Sequence, residues 1–312
     1  MQKPLIILTG PTAAGKTGLS IKLAKSLNAE IISADSMQVY KGMDIGSAKI
    51  MPEEMEGVKH YLIDEYEITD DFNVVEFSRA AKAALDEIYA KGKIPIIVGG
   101  TGFYIQAVLR DIDFTETGED EAYRQSLYDY ASEYGAEALH NKLKELDPDA
   151  AAAIHPNNIK RVARAIEFAN QTGSKISEHN EKERAKKSPY NFAYFVLTRE
   201  RSELYERIDK RVDMMIEAGL VDEVKRLKDM GANKDMVSMQ GLGYKEILSY
   251  LDGECSLDEA IYLIKRDTRH FAKRQLTWFR RESDVIYLEA DKKSEDELLS
   301  DVINVLQDKN II

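Results

Sequence analysis

The stretch Leu5-Ile6-Ile7-Leu8-Thr9-Gly10-Pro11-Thr12-Ala13-Ala14-Gly15-Lys16-Thr17 decides how this chain folds. Four consecutive apolar residues predict a strand buried on both faces, and the strand empties into a glycine-bearing loop. Gly10, Gly15, Lys16 and Thr17 hold the fixed positions of G-x-x-x-x-G-K-[ST]. Beyond the loop, Leu19, Ile21, Leu23, Ala24 and Leu27 suit a helix packed on a sheet. Glycines let successive backbone N–H groups turn inward around an anion, and the helix N-terminus adds the positive end of its dipole. Lys16 supplies a point charge, and the Thr17 hydroxyl is a ligand for Mg²⁺ between phosphate oxygens. The stretch therefore predicts a polyphosphate site built from Gly10, Thr12, Ala13, Ala14, Gly15, Lys16 and Thr17, with Mg²⁺ at Thr17. Whether the polyphosphate is ATP, GTP or another is not in the motif.

Outward from this loop, further apolar runs read as strands at 30–34, 61–63, 94–98, 193–197 and 285–288. A helical pattern at 74–89 lies between early ones, with Val75, Phe77, Ala81, Ala84, Leu85 and Ile88 on one face. Strands alternating with helices predict an α/β fold: a P-loop NTPase-like parallel sheet flanked by helices. Ligands of such sheets sit at the carboxyl ends of strands, and four of these ends carry chemistry: 10–17, Asp35-Ser36, Asp64 and Gly99-Gly100-Thr101-Gly102. From 116 to 189 strand patterns vanish and charged helical patterns take over at 121–134, 136–146 and 158–171. We read an all-helical insertion domain there, inside a catalytic core made of 1–115 and 190–312. Long helices follow at 203–230 and 257–281.

Composition narrows the class. With 43 Lys and Arg against 55 Asp and Glu, the 312-residue chain has a formal charge of −12, which argues against indiscriminate nucleic-acid binding. A local basic surface remains compatible with it. The single cysteine, Cys255, rules out an intrachain disulfide and a multi-cysteine zinc site, and suits a reducing cytoplasm. No apolar run approaches the roughly 20 residues of a membrane helix, and no signal-peptide pattern opens the chain. The expectation is a cytoplasmic protein that meets no membrane. Five scattered histidines show no metal-ligand spacing.

Asp35, at a strand end beside the phosphate loop, can bind Mg²⁺, orient a nucleophile or accept a proton; alternatively it or Ser36 caps a helix. Asp64 is the competing, Walker-B-like aspartate. The glycines around Thr101 permit close approach of a ligand, or make a simple βα turn with Thr101 as cap. Arg207 and Arg211 share a helix face, yet Glu203, Glu206, Asp209 and Asp213 nearby make a solvated ion-pair face the plainer reading. The segment 265–281 carries seven Lys or Arg against one acid. Arg266, Arg269, Lys273 and Arg280 recur at helical spacing and form a stripe suited to an RNA backbone. Phe271, Trp278 and Phe279 either anchor that helix or stack on bases. Lys160, Arg161 and Arg164 offer a second basic contact.

Taken together, 10–17, the run Asp35-Ser36-Met37-Gln38-Val39-Tyr40-Lys41-Gly42-Met43-Asp44-Ile45-Gly46-Ser47-Ala48-Lys49, the segment 99–104, Gln240-Gly241-Leu242-Gly243-Tyr244-Lys245-Glu246 and the segment 272–280 resemble bacterial tRNA dimethylallyltransferases. The resemblance runs from the phosphate loop to about Arg281. Ala14 stands where many relatives have Ser, a tolerable change at a position whose N–H does the work. The resemblance implies transfer of a dimethylallyl group from dimethylallyl pyrophosphate to N6 of the adenosine just 3′ of a tRNA anticodon. The loop then holds a pyrophosphate leaving group with Mg²⁺, and Arg211 with Arg207 becomes a further clamp. Lys16, Arg211, Asp35 and Thr101 form the implied catalytic set, with Asp35 accepting the N6 proton and Thr101 positioning the amine. Implied tRNA contacts are Asp35, Ser36, Met37, Gln38, Thr101 and Arg124, then Ile159, Lys160, Arg161, Val162 and Ala163, and finally Gly241, Lys245, Arg269, Lys273, Arg274 and Arg280. The expected partners are the anticodon stem-loop and dimethylallyl pyrophosphate, and the expected form is a monomer. The rival readings are a P-loop small-molecule kinase using ATP and a non-catalytic, ATP-switched RNA-binding module.

Overall fold

The computed structural model describes residues 2–114 and 120–312, so the predicted domain boundary at 115/116 lies outside the described residues. The chain packs as two compact units, one formed by Met1–Leu109 with Pro189–Ile312 and the other by Arg110–Ser188.

The first unit opens with β1 (Lys3–Thr9), α1 (Lys16–Leu27), β2 (Glu30–Ala34), β3 (His60–Tyr61), α2 (Val74–Ala90), β4 (Pro95–Gly99) and α3 (Gly102–Leu109). The helical unit contributes α4 (Glu121–Tyr134), α5 (Ala136–Leu146), α6 (Pro148–Ala153), α7 (Ile159–Thr172) and α8 (Ile176–Ala185). The chain then returns through β5 (Tyr190–Thr198), α9 (Arg201–Glu217), α10 (Leu220–Asp229), α11 (Tyr244–Leu251), α12 (Leu257–Phe279), β6 (Val285–Glu289) and α13 (Glu295–Asp308). The six strands form one parallel sheet in the order β3-β2-β4-β1-β5-β6.

The opening strand is apolar without alternation because both its faces are covered. Ile6 and Leu8 pack with α1 and α13 residues such as Leu19, Leu23 and Val302, whereas Leu5 and Ile7 join the cluster of Phe77, Leu85 and Ile105. All four are fully buried. Register does the rest: Thr9 pairs with Gly99, and Gly99 with Ala34, so β1, β4 and β2 end side by side. The phosphate loop, Asp35 and Thr101 leave from that common edge, as expected where a parallel sheet reverses its strand order.

Two elements depart from expectation. The run 203–230 is two helices, because Gly219 takes a left-handed φ of 98° between them. The strand predicted at 61–63 stops at Tyr61, since Leu62 (φ 61°) and Asp64 (φ 55°) turn left-handed. No described helix is long and apolar enough to cross a membrane.

The helical unit has its own core of Leu127, Leu139, Leu143, Val162 and Ile166. Three of its helices, α4, α6 and α7, start on side-chain caps: Asp120, Asp147 and Asn158 accept from the backbones of Tyr123, Ala150 and Arg161.

Candidate active site

The loop after β1 is shaped by backbone conformation. Gly10 sits at φ 151°, where a Cβ would lie 2.6 Å from the Leu197 carbonyl oxygen, and Gly15 at φ 102°. Between them Ala13 is also left-handed, at φ 63°. Lys16 reaches back across the loop and donates to the carbonyls of Gly10 (3.0 Å) and Pro11 (2.9 Å). Thr17 is exposed at the head of α1.

Three arginines brace this loop from outside. Arg199 donates to the Ala14 carbonyl (3.0 Å), Arg207 to the Ala13 carbonyl (2.9 Å) and Arg211 to the Thr12 hydroxyl (3.5 Å). The plain ion-pair reading of Arg207 and Arg211 thus gives way to contact with the loop. Arg199 was not singled out in the sequence. Its signal was position, directly after the apolar run that forms β5. The clustered cations cost one another. Burial, then the neighbouring Arg211, hold the Lys16 ammonium down at a pKa of about 8, with Asp35 opposing. Burial and Arg207 likewise pull Arg211 below its ordinary value, again against Asp35. An anion placed among these positive groups would relieve that cost.

A cavity of about 490 Å³ collects Thr12, Arg211, Asp35, Ser36, Met37, Thr101, Gly241, Lys245 and Arg274. Phe72, Tyr104, Val212, Met215 and Ile264 give it apolar surface. No helix follows Asp35, so the helix-cap reading fails; its Oδ1 instead closes a turn, accepting from the backbones of Met37 (2.9 Å) and Gln38 (3.4 Å), while the residue lines the cavity. Thr101 N–H donates to the Ala34 carbonyl (3.2 Å), tying the β4 turn to the strand that carries Asp35. The glycines around it serve close packing. A Cβ on Gly99 would meet the Ala34 carbonyl at 2.3 Å, one on Gly100 the Gln275 amide at 2.2 Å, and one on Gly102 the Trp278 ring at 2.2 Å. Gln275, buried, accepts from Thr12 N–H (2.9 Å) and donates to the Gly100 carbonyl (2.9 Å), and so joins the two loops. Sequence reading missed it because it sits inside the basic helix. Asp64 is elsewhere, paired with the buried Lys49 at 2.5 Å.

The basic helix is less free than its sequence implies. Arg269 binds Asp209 through two contacts of 2.5 and 2.7 Å, Arg266 binds Asp267, and Lys265 binds Asp213. Lys273, Arg274 and Arg280 are exposed, and Lys273 and Arg274 line a second hollow with His270 and Thr277. Phe279 is core and Trp278 packs edge-on against Phe103, so both anchor the helix, whereas Phe271 lines the cavity. In the helical unit Arg124 is held bidentately by the fully buried Glu167, which also binds Arg164. Lys160 and Arg161 are exposed and Ile159 is half-buried, but Val162 and Ala163 are fully buried and offer no surface to a partner. Gln38 does not line the cavity; its amide donates to the carbonyls of Ser47 (3.4 Å) and Ala48 (3.1 Å). Among the described residues no three His, Cys, Asp or Glu side chains group as a metal site.

Comparison with known proteins adds the rest. The chain is 64% identical over 311 residues to a tRNA dimethylallyltransferase of Lachnoclostridium phytofermentans, covering 99% of both chains. It is 53% identical to one of Acetivibrio thermocellus, covering 94% of each. Its structure resembles a tRNA isopentenylpyrophosphate transferase of Bacillus halodurans (TM-score 0.75, 46% identity, 99% and 97% of the two chains covered). It also resembles a eukaryotic dimethylallyltransferase acting on tRNA (TM-score 0.83, 31% identity, 99% and 80% covered). The sequence profile of IPP transferases matches residues 38–282, and with it and these relatives the chain belongs to the IPP transferase family.

Proposed function

We propose that the chain transfers a dimethylallyl group from dimethylallyl pyrophosphate to N6 of the adenosine 3′-adjacent to a tRNA anticodon. One observation carries the reading: a single cavity joins the phosphate loop, through Thr12 and Arg211, to Asp35 and Thr101 from the neighbouring strand ends. Its volume suits a flat base beside a five-carbon chain.

In this reading the diphosphate lies in the loop, where backbone N–H groups, Lys16, Arg207 and Arg211 meet the charge that grows as the C1–O bond breaks. Lys16 exchanges its two carbonyl partners for phosphate oxygens. Asp35 takes the proton from N6 as the new N6–C1 bond forms, because an exocyclic amine attacks poorly while it keeps that proton. Its Oδ1 already serves two backbone amides, which leaves Oδ2 for the proton in this reading. Thr101 positions the amine. The apolar wall shields the allyl cation character from water. The adenine must leave its stack to enter, at a cost of a few kcal/mol.

Mg²⁺ fits the exposed Thr17 hydroxyl only with phosphate oxygens and water completing its shell, a shell this ion favours over an all-protein cage. When bound it supplies further neutralisation of the diphosphate. Lys160 and Arg161 of the helical unit and the exposed cations of α12 hold the RNA backbone. The site of action is the cytoplasm. Incubating the protein with tRNA and dimethylallyl pyrophosphate, then digesting the RNA to nucleosides for mass analysis, tests the proposal: one adenosine gains a dimethylallyl group. Transfer from ATP instead would revive the kinase, which these relatives do not favour. Nucleotide-dependent RNA binding without any modification would point to a switch.

A further inference from the structure

The segment between Asp44 and Lys49 has no regular secondary structure, yet it forms cavity wall through Gly46, Ser47 and Ala48. Backbone of that kind needs partners for its polar groups. They come from far along the chain. Glu223 on α10, 3% exposed, accepts from Asp44 N–H (3.0 Å) and Ile45 N–H (2.8 Å) at Oε2, and from Gly46 N–H (3.1 Å) at Oε1. The hydroxyl of the fully buried Tyr244 donates to the same Oε1 (2.8 Å) and accepts from Ser47 N–H (3.2 Å). Across the segment, the Gln38 amide holds the carbonyls of Ser47 and Ala48. A Cβ on Gly46 would lie 2.6 Å from the Tyr244 ring, so the segment and that ring are fitted together.

A buried carboxylate is an expensive way to hold a loop unless every oxygen is satisfied, and here both are. What it holds is a wall without charge or bulk. Such a wall suits a neutral, flat base and gives nothing to a diphosphate, whose partners are the cations on the phosphate loop. We propose that Glu223, seconded by Tyr244, is a positioning residue for the nucleoside: it fixes the 46–48 wall against which the adenosine is seated, and so sets affinity for RNA without touching the prenyl donor. This rests on the reading that the cavity takes an adenosine.

The test is steady-state kinetics of Glu223→Gln and Tyr244→Phe with an anticodon stem-loop and dimethylallyl pyrophosphate. A glutamine keeps one acceptor oxygen and turns an NH₂ toward N–H donors. We expect its KM for the stem-loop to rise at least about tenfold, the scale of lost hydrogen bonds to a charged group. The KM for the donor and kcat at saturating RNA should stay near those of the parent. Tyr244→Phe removes one of the four bonds to the carboxylate and should show a smaller rise of the same kind. A merely structural role gives a different pattern, with less active enzyme at unchanged KM for RNA, or both KM values moving together, and either result overturns the proposal. Should Glu223→Gln fail to fold, Tyr244→Phe alone decides by the same two KM values. If the parent protein itself modifies no stem-loop, the nucleoside reading fails instead, and the two failures are distinct.

Discussion

The two loops that meet in the cavity are built in opposite ways. The phosphate loop is made locally: Gly10, Ala13 and Gly15 in left-handed or mirror conformations within six residues, with Lys16 closing on the carbonyls of Gly10 and Pro11. The 44–49 segment is made at long range, its amides held by Glu223 from 177 to 179 residues away and by Tyr244 from 197 away. The first carries its instruction in a short pattern and can be read in any chain. The second belongs to the recognisable run 35–49, yet nothing within it says what will hold it, because that is a consequence of the fold. An anion needs only backbone N–H groups and a cation, which a turn supplies, whereas a neutral base needs a surface, which only packing supplies.

The sharpest way to break the comparison is to disable the nucleoside side and leave the anion side intact. Asp35→Ala should lower single-turnover transfer by about 10²- to 10⁴-fold, the range of a positioned general base. Dimethylallyl pyrophosphate should still bind, because Thr12, Lys16 and the arginines are untouched. Near-parental single-turnover rates would remove Asp35 from the chemistry.

Gln275 stands between the two loops, and its loss is the next largest effect we expect. Its amide oxygen faces Thr12 N–H and its nitrogen the Gly100 carbonyl, so it sets the phosphate loop against the Thr101 turn. Gln275→Ala should reduce kcat by roughly ten- to a hundredfold through misplacement of the reacting groups, with little change in either KM. A pure rise in donor KM would instead assign Gln275 to the phosphate loop alone.

How much of this was legible follows the same division. The parallel sheet, the phosphate loop and the strand-end Asp35 all declare themselves in the apolar runs and in residues adjacent in sequence. Arg207 and Arg211 were visible as a pair, but their acidic neighbours disguised them. Only the docking of α9 on the loop separates contact with the loop from a solvated face. Arg269 errs the other way, a cation of the predicted RNA stripe that the structure spends on Asp209. Val162 and Ala163 lie beside exposed Lys160 and Arg161, and sequence adjacency says nothing of their opposite burial until the helix is placed in its core. Gln275 and Glu223 had no local signal, since what they bind lies more than 170 residues away.

Proton linkage sharpens the anion side. The free Lys16 ammonium sits near a pKa of 8, and a bound diphosphate favours its charged form, so binding takes up a proton wherever the free lysine has lost one. Donor affinity should therefore be flat well below pH 8 and weaken as pH rises through it, approaching tenfold per pH unit above it for a single linked proton. Lys16→Arg, charged throughout, should bind the donor without that dependence. Titrations with dimethylallyl pyrophosphate between pH 7 and 9.5 check both, and a flat profile for the parent would take Lys16 out of the diphosphate site.

The smallest effect lies farthest from the chemistry. Lys273 on α12 and Arg280 just past its end are exposed, whereas Arg269 is bound to Asp209. If the exposed pair rides on phosphates, Lys273→Ala with Arg280→Ala should weaken tRNA binding by a modest factor and cut the salt slope by roughly 0.7 to 0.9 per contact removed. Arg269→Ala should cost less slope than either, since its charge already has a partner in Asp209. Measuring tRNA affinity against salt for the three variants separates these outcomes. An equal loss of slope for Arg269→Ala would mean that the Asp209 pair opens to RNA, and that the stripe read in the sequence is restored when its partner arrives.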